Sequence, residues 1–271
     1  MDLEEPDNNG LEIPIAALEP IVSQYSGSLS RADIWALATI VGAESSQRNR
    51  DALDYTFDFI GRVNCEETGV DVCVNVPDGC DPSRNGPTVT MPSSNLNTAE
   101  ILHFFSNEFG FGPEEVVALM GAHTIGEASR SNSGFNGKWV GNNERLDNQY
   151  YRAMIGDNGD LEDWFDAPGW NQETVNNNNN PDIPNRIQWR RGQNGVGDIM
   201  LNTDIALVRD YSGLIDTNDG SVSCRFRGNR NPCPAALQTI EFMAKFKFDD
   251  AAFLVAFRDV LTKMVKNGYN V

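Results

Sequence analysis

The sequence predicts a mainly α-helical fold with one short β-hairpin, and three observations lead there. Apolar residues recur at three- and four-residue spacing in several segments, and some of these segments carry capping residues at their starts or glycine at their ends. Only one pair of short segments reads as strands. With 271 residues, 40% of them hydrophobic and 22% charged, the chain can bury a sizeable core as one domain or two closely packed lobes.

The first expected helix covers residues 11–24, where Leu11, Ile13, Ile15, Leu18, Ile21 and Val22 follow helical spacing. The second covers about 30–43. Ser30 with Asp33 forms its N-terminal cap, and Ile34, Leu37, Ala38 and Val41 form its apolar face, which is expected to pack on the first helix. Residues 61–96 carry Gly, Pro, Asn and cysteines without periodicity and read as a long irregular connection. Thr98 is expected to cap a third helix with Ile101, Leu102, Phe105 and Phe109 on one face and Gly110 at its end. His103 lies in that helix among apolar neighbours and reads as structural.

Pro113, Glu114 and Glu115 suit the first turn of a fourth helix, through proline's fixed φ and the attraction of acids to the helix dipole. Val116, Val117, Leu119 and Met120 form its apolar side. The run Asn176 to Asn180 is a solvated loop, after which Ile187–Trp189 and Asp198–Leu201 pair as the hairpin. A last helix is expected from Asp249 to Gly268, with Phe253, Phe257, Leu261, Met264 and Val265 together.

Composition excludes some partners. A net charge of −18 without a basic stripe argues against nucleic acid, and no apolar run approaches the roughly 20 residues a membrane span needs. The first residues, Met1 to Pro6, show neither part of a signal peptide, so they give no compartment. An acidic surface aids solubility or steers a cationic partner. Five cysteines, Cys65, Cys73, Cys80, Cys224 and Cys233, are spaced for short disulfide loops, and zinc is disfavoured by the lack of a Cys-x-x-Cys pair and by a histidine count of two. Cys224 and Cys233, nine positions apart and flanked by Pro232 and Pro234, are expected to form a local disulfide. The compartment stays open between organellar and secreted, and the disulfides lean towards secreted although no glycosylation sequon is present.

Chemistry concentrates around His123. The stretch from Val116 to Gly126 presents this imidazole at the end of an apolar helix, beside the small residues Gly121, Ala122 and Gly126, which would let a flat cofactor approach. A lone histidine on an apolar helix is usually a core residue, but the flanking pattern resembles the proximal ligand motif of the plant, fungal and bacterial haem peroxidases. Met200 to Asp210 resembles the segment that supplies the carboxylate partner of that histidine, with Asp204 at the matching position. A buried carboxylate there fixes the imidazole tautomer and favours higher oxidation states of iron, whereas Asp204 read alone is a helix cap.

Trp139 lies sixteen positions after His123, the spacing at which cytochrome c peroxidases and ascorbate peroxidases carry a redox tryptophan bonded to the same carboxylate. Thr124, Asn142 and Asp147 match positions that bind a potassium or calcium ion in ascorbate peroxidases, with Val140 standing where a threonine is usual. Leu146 to Tyr151 is similar to the family's Phe-Asp-Asn-x-Tyr-Tyr stretch, and Met91-Pro92 to a Leu-Pro pair at the haem edge. Asn132 stands where plant ascorbate peroxidases place an arginine for ascorbate, which argues against that reductant. The segment around Cys224 and Cys233 looks like an insertion.

The resemblance covers nearly the whole chain. It implies a two-lobed fold with haem b between the lobes, residues 1–110 forming the remainder of the distal lobe and 111–271 the proximal lobe. Implied cofactor-binding residues are His123 on iron, Pro92, Gly126 and Trp139, with Trp139 and Asp204 catalytic. The implied activity is reduction of hydrogen peroxide, as in an oxidative stress response, with electrons from a small donor or a redox protein. Family members begin with a helix carrying Arg-x-x-Phe/Trp-His, and this sequence enters the pattern after that distal helix. As written it is expected to turn over peroxide poorly, and the alternative is a pseudo-peroxidase acting as a binding or structural subunit of a larger assembly.

Overall fold

The computed structural model describes residues 8–47, 53–58, 60–62, 92–156, 169–177, 183–191, 198–216, 218–226 and 231–267. Cys65, Cys73, Cys80, Met91, Gly268, Asn178 to Asn180 and most of the irregular 61–96 stretch lie outside them. The chain divides into two compact units, Met1–Met91 with Arg258–Val271, and Pro92–Phe257.

In the first unit, α1 (Glu12–Tyr25) packs on α2 (Arg31–Ser45), close to the expected bounds. Ser30 caps α2 by accepting the Asp33 N–H at 2.9 Å. The Arg31 guanidinium holds Glu19 of α1 at 2.6 and 3.0 Å. The buried faces differ from the apolar stripes. In α1 only Val22 is buried while Leu11, Ile13 and Ile21 are exposed, and α2 buries Asp33, Ile34, Ile40 and Ala43 while Val41 faces outward. Helical spacing identifies a stripe but not what it meets, and a polar Asp33 is invisible to an apolar pattern.

Asp33 is instead the centre of a buried clasp. Its carboxylate accepts the Gly61 N–H at 2.8 Å, the Arg62 N–H at 3.2 Å and the Arg62 guanidinium at 3.0 Å. Arg62 also donates to the Val265 carbonyl through Nε at 3.0 Å and Nη2 at 2.8 Å, so one ion pair ties α2, residues 60–62 and the end of the last helix together. Burial pushes the Asp33 carboxyl up, but the Gly61 N–H and the Arg62 guanidinium outweigh it and hold the group below its ordinary value. A depressed carboxylate contributes stability above its unfolded pKa of about 3.9 and loses it as pH falls through the lower folded value. Asp33→Ala should therefore cost roughly 3–5 kcal/mol near neutrality, because it removes the carboxylate that a buried guanidinium and two backbone N–H groups are bonded to. The difference from wild type should narrow below about pH 4. Denaturant titrations across pH measure this, and a constant difference would exclude the ion pair as its source.

In the second unit, α3 (Thr98–Phe109) ends on Gly110 in the left-handed region, φ 65°. Its cap is Asn97, not Thr98: Asn97 accepts the Glu100 N–H at 3.1 Å and Glu100 accepts the Asn97 N–H at 2.9 Å. Thr98 is buried and donates its hydroxyl to the Ala206 carbonyl at 2.7 Å, so a tertiary bond occupies the group expected to cap. Among the described residues His103 is bonded locally, to Asn107 at 2.9 Å. Helix α4 (Pro113–Met120) opens with Glu115 accepting the Gly112 N–H at 2.8 Å, and buries Val116, Val117, Ala118 and Met120. Two short helices follow, α5 (Arg130–Ser133) and α6 (Gln149–Met154).

The expected hairpin is part of a larger sheet. Strand β2 (Arg186–Arg190) pairs antiparallel with β3 (Ile199–Met200), Trp189 opposite Met200, and also with β1 (Asn171–Val175), which periodicity did not reveal. Strand β1 reads Asn-Gln-Glu-Thr-Val, with only Val175 fully buried, so it lacks an apolar alternation. After α7 (Asn202–Ile205), the Cys224–Cys233 disulfide closes a local loop as expected, with both residues buried. Helix α8 (Ile240–Phe248) precedes α9 (Asp250–Val265), which Asp249 caps by accepting the Ala252 N–H at 2.9 Å. Sequence periodicity finds α9 but not α8, whose Glu241, Lys245 and Lys247 interrupt the apolar stripe. Among the described residues no helix is long and apolar enough to cross a membrane.

Candidate functional site

The site lies in the second unit and begins with packing. The Tyr151 hydroxyl donates to the Val117 carbonyl at 2.9 Å and anchors α6 to α4. At the end of α4 the chain tightens into a 3-10 turn, Gly121–Thr124, which carries His123. Gly121 is needed against the protein: a Cβ there would come within 2.2 Å of the Tyr151 hydroxyl and 2.5 Å of the Phe253 ring. Gly126 has open space around it, and its φ of +81° supplies the reason for glycine.

The His123 imidazole is partly exposed, 29% of its side chain, and its Nδ1 lies 2.7 Å from Oδ1 of Asp204. Asp204 is fully buried in α7. A carboxylate only accepts, so Nδ1 carries the proton and the lone pair stands on Nε2. The same carboxylate binds three other donors. Tyr150 donates its hydroxyl to Oδ1 at 2.7 Å, while the Trp139 indole at 2.8 Å and the Leu201 N–H at 2.7 Å donate to Oδ2. Asp204 thus caps α7 and holds His123 at once, so its two sequence readings coexist.

Burial opposes ionisation of Asp204, but the His123 imidazole and the Leu201 and Tyr150 donors overcome it and hold the carboxyl below its ordinary range. Burial, and then the Asp204 charge, push the Tyr150 hydroxyl far above its ordinary value, which keeps it a donor. Trp139 is buried and stacks on His123 with ring centres 4.2 Å apart and planes 23° apart. The backbone just before it is pinned twice, by Ala128 pairing with Gly137 and by the Ile199 N–H donating to the Lys138 carbonyl at 2.9 Å.

The other sequence candidates are more scattered. The buried Thr124 hydroxyl lies 3.3 Å from an Asp147 carboxylate oxygen, and Asp147 also accepts from the Gln149 backbone and side chain at 3.0 and 2.9 Å. Asn142 is exposed, with its carbonyl oxygen 3.4 Å from the Glu144 N–H. Pro92 lies in the loop leading to α3. Tyr150 is the participant to which sequence reasoning gave no role. The only signal was its place in Leu146 to Tyr151, since a buried tyrosine usually finds a partner for its hydroxyl.

The sequence profile of the peroxidase family matches residues 2–214. The chain belongs to the haem peroxidase superfamily. It is 27% identical over 214 residues to a candidate heme-binding peroxidase of Yarrowia lipolytica, covering 78% of this chain and 57% of that protein. A protein of the same description from Candida albicans is 29% identical over 218 residues, covering 79% of this chain and 60% of the relative. One from Mycosarcoma maydis is 32% identical over 151 residues, covering 56% and 39%. The matched part of the chain therefore spans 60% or less of each of these relatives.

Proposed function

We propose that this peroxidase binds haem b through His123 and serves the reduction of hydrogen peroxide by a small electron donor or a redox protein, with Trp139 as electron relay. The observation that carries this reading is the convergence of His123, Trp139 and Tyr150 on the buried Asp204 carboxylate. That arrangement suits an iron ligand. It commits the proton to Nδ1, orients the ring, and leaves the Nε2 lone pair of a partly exposed side chain unengaged by Asp204. When bound, haem supplies the redox-active iron at which the peroxide bond is broken.

The chain's own residues do the positioning. Asp204 holds the Nδ1 proton and raises the basicity of the imidazole, and the α4 helix end fixes where that imidazole points. Trp139, stacked on His123 and bonded to the same carboxylate, is an oxidisable indole through which donor electrons would pass. Pro92 and Gly126 would contact the porphyrin, with residues 1–110 completing the distal lobe and 111–271 the proximal one. Thr124 and Asp147 offer adjacent hard oxygens to a potassium or calcium ion, and Asn142 would have to turn inward to join them. The Cys224–Cys233 disulfide supports a secreted or organellar location.

Adding haem to the full-length protein tests the reading. A stoichiometric Soret band that shifts on addition of hydrogen peroxide is the expected result. A band that peroxide leaves unmoved would favour the binding or structural subunit instead, and failure to bind haem would overturn the proposal.

A further inference from the structure

Asp204 distributes its four donors two to each oxygen, and the partition is uneven in consequence. Oδ2 takes Trp139 and the α7 cap, whereas Oδ1 is shared between His123 Nδ1 and the Tyr150 hydroxyl, both at 2.7 Å. Two donors on one carboxylate oxygen compete for its electron density. The Tyr150 hydroxyl has no other acceptor among the described residues, lies in a fully buried side chain, and has its ring edge-on to His123 at 6.1 Å.

We infer that Tyr150 is a positioning residue that moderates the proton-accepting strength of Asp204 towards His123, and so limits the anionic character of the imidazole. The inference rests on His123 being the iron ligand. A stronger carboxylate acceptor draws the Nδ1 proton away, makes Nε2 a better electron donor and stabilises ferric iron. Removing the tyrosine hydroxyl should therefore act in the opposite direction to removing the carboxylate charge. The sequence reading assigned roles to His123, Asp204 and Trp139, and this places a fourth side chain in control of the same proton.

Tyr150→Phe removes one oxygen and keeps the ring that fills the core. In haem-loaded full-length protein, the iron reduction potential should fall. The ferric-to-ferrous ratio should change by up to about tenfold, ~59 mV for a one-electron couple, because one hydrogen bond sets the scale. In protein without haem, the His123 Nδ1 proton should move downfield in a histidine-labelled NMR spectrum. The chain has two histidines, so His103→Gln isolates the signal. A tyrosine that only packs would leave both readouts unchanged, and an unchanged or raised potential, or an unmoved proton, would overturn the inference. Wild type that fails to take up haem through His123 would instead sink the haem-binding reading, while the NMR shift would still decide whether Tyr150 weakens the bond between His123 and Asp204.

Discussion

His123→Ala is expected to abolish stoichiometric haem binding. No other imidazole could substitute, because His103 is bonded to Asn107 on its own helix in the stretch before α4 and carries no buried carboxylate partner among the described residues. The variant should still fold, since His123 is partly exposed and Asp204 keeps three of its four donors. The measurement is haem content and absorption spectrum after reconstitution, with circular dichroism as the check on folding. His123→Gly with added imidazole should recover part of the spectrum, because the small ligand can occupy the vacated volume. Wild-type haem content in the alanine variant would remove His123 from the site.

Asp204→Asn should produce the second large effect, on both stability and iron. An amide offers one accepting oxygen and one NH2 group, whereas the site presents donors to both positions. With its oxygen towards Trp139 and Leu201, the amide turns its NH2 to Tyr150, whose hydroxyl oxygen can accept, and to His123, whose Nδ1 must then pass its proton to Nε2. Hydrogen bonds to a charge become neutral ones and the histidine tautomer is forced to change, a cost of roughly 1–3 kcal/mol. Loss of the carboxylate should also weaken haem retention about 10- to 100-fold and raise the iron reduction potential, since the imidazole loses the charge that made it a strong donor. Chemical denaturation and redox titration follow the two consequences separately. A stability equal to wild type would show that the carboxylate charge adds nothing to these hydrogen bonds, and an unchanged potential with haem retained would detach Asp204 from the iron ligand.

Much of this protein was readable along the chain. The glycine after α3, the proline and acids opening α4, the Ser30 cap and the nine-residue disulfide loop are local, because each is decided by a few residues acting on the backbone beside them. His123, Asp204 and Trp139 could be picked out because each sits in a dense local motif. Other features depended on distant residues. Strand β1 exists through its pairing with β2, not through its own composition, and Thr98 left its expected capping role for a bond to Ala206. The outward turn of Val41 and the burial of Asp33 followed from what α2 meets. The same holds at the site. The sequence by itself determined which residues could serve, while only the tertiary structure decided that four donors lying up to 81 positions from Asp204 would share its carboxylate. Hydrogen bonding to a buried charge depends on angstrom-scale distance and the exclusion of water, and neither is encoded in spacing along the chain.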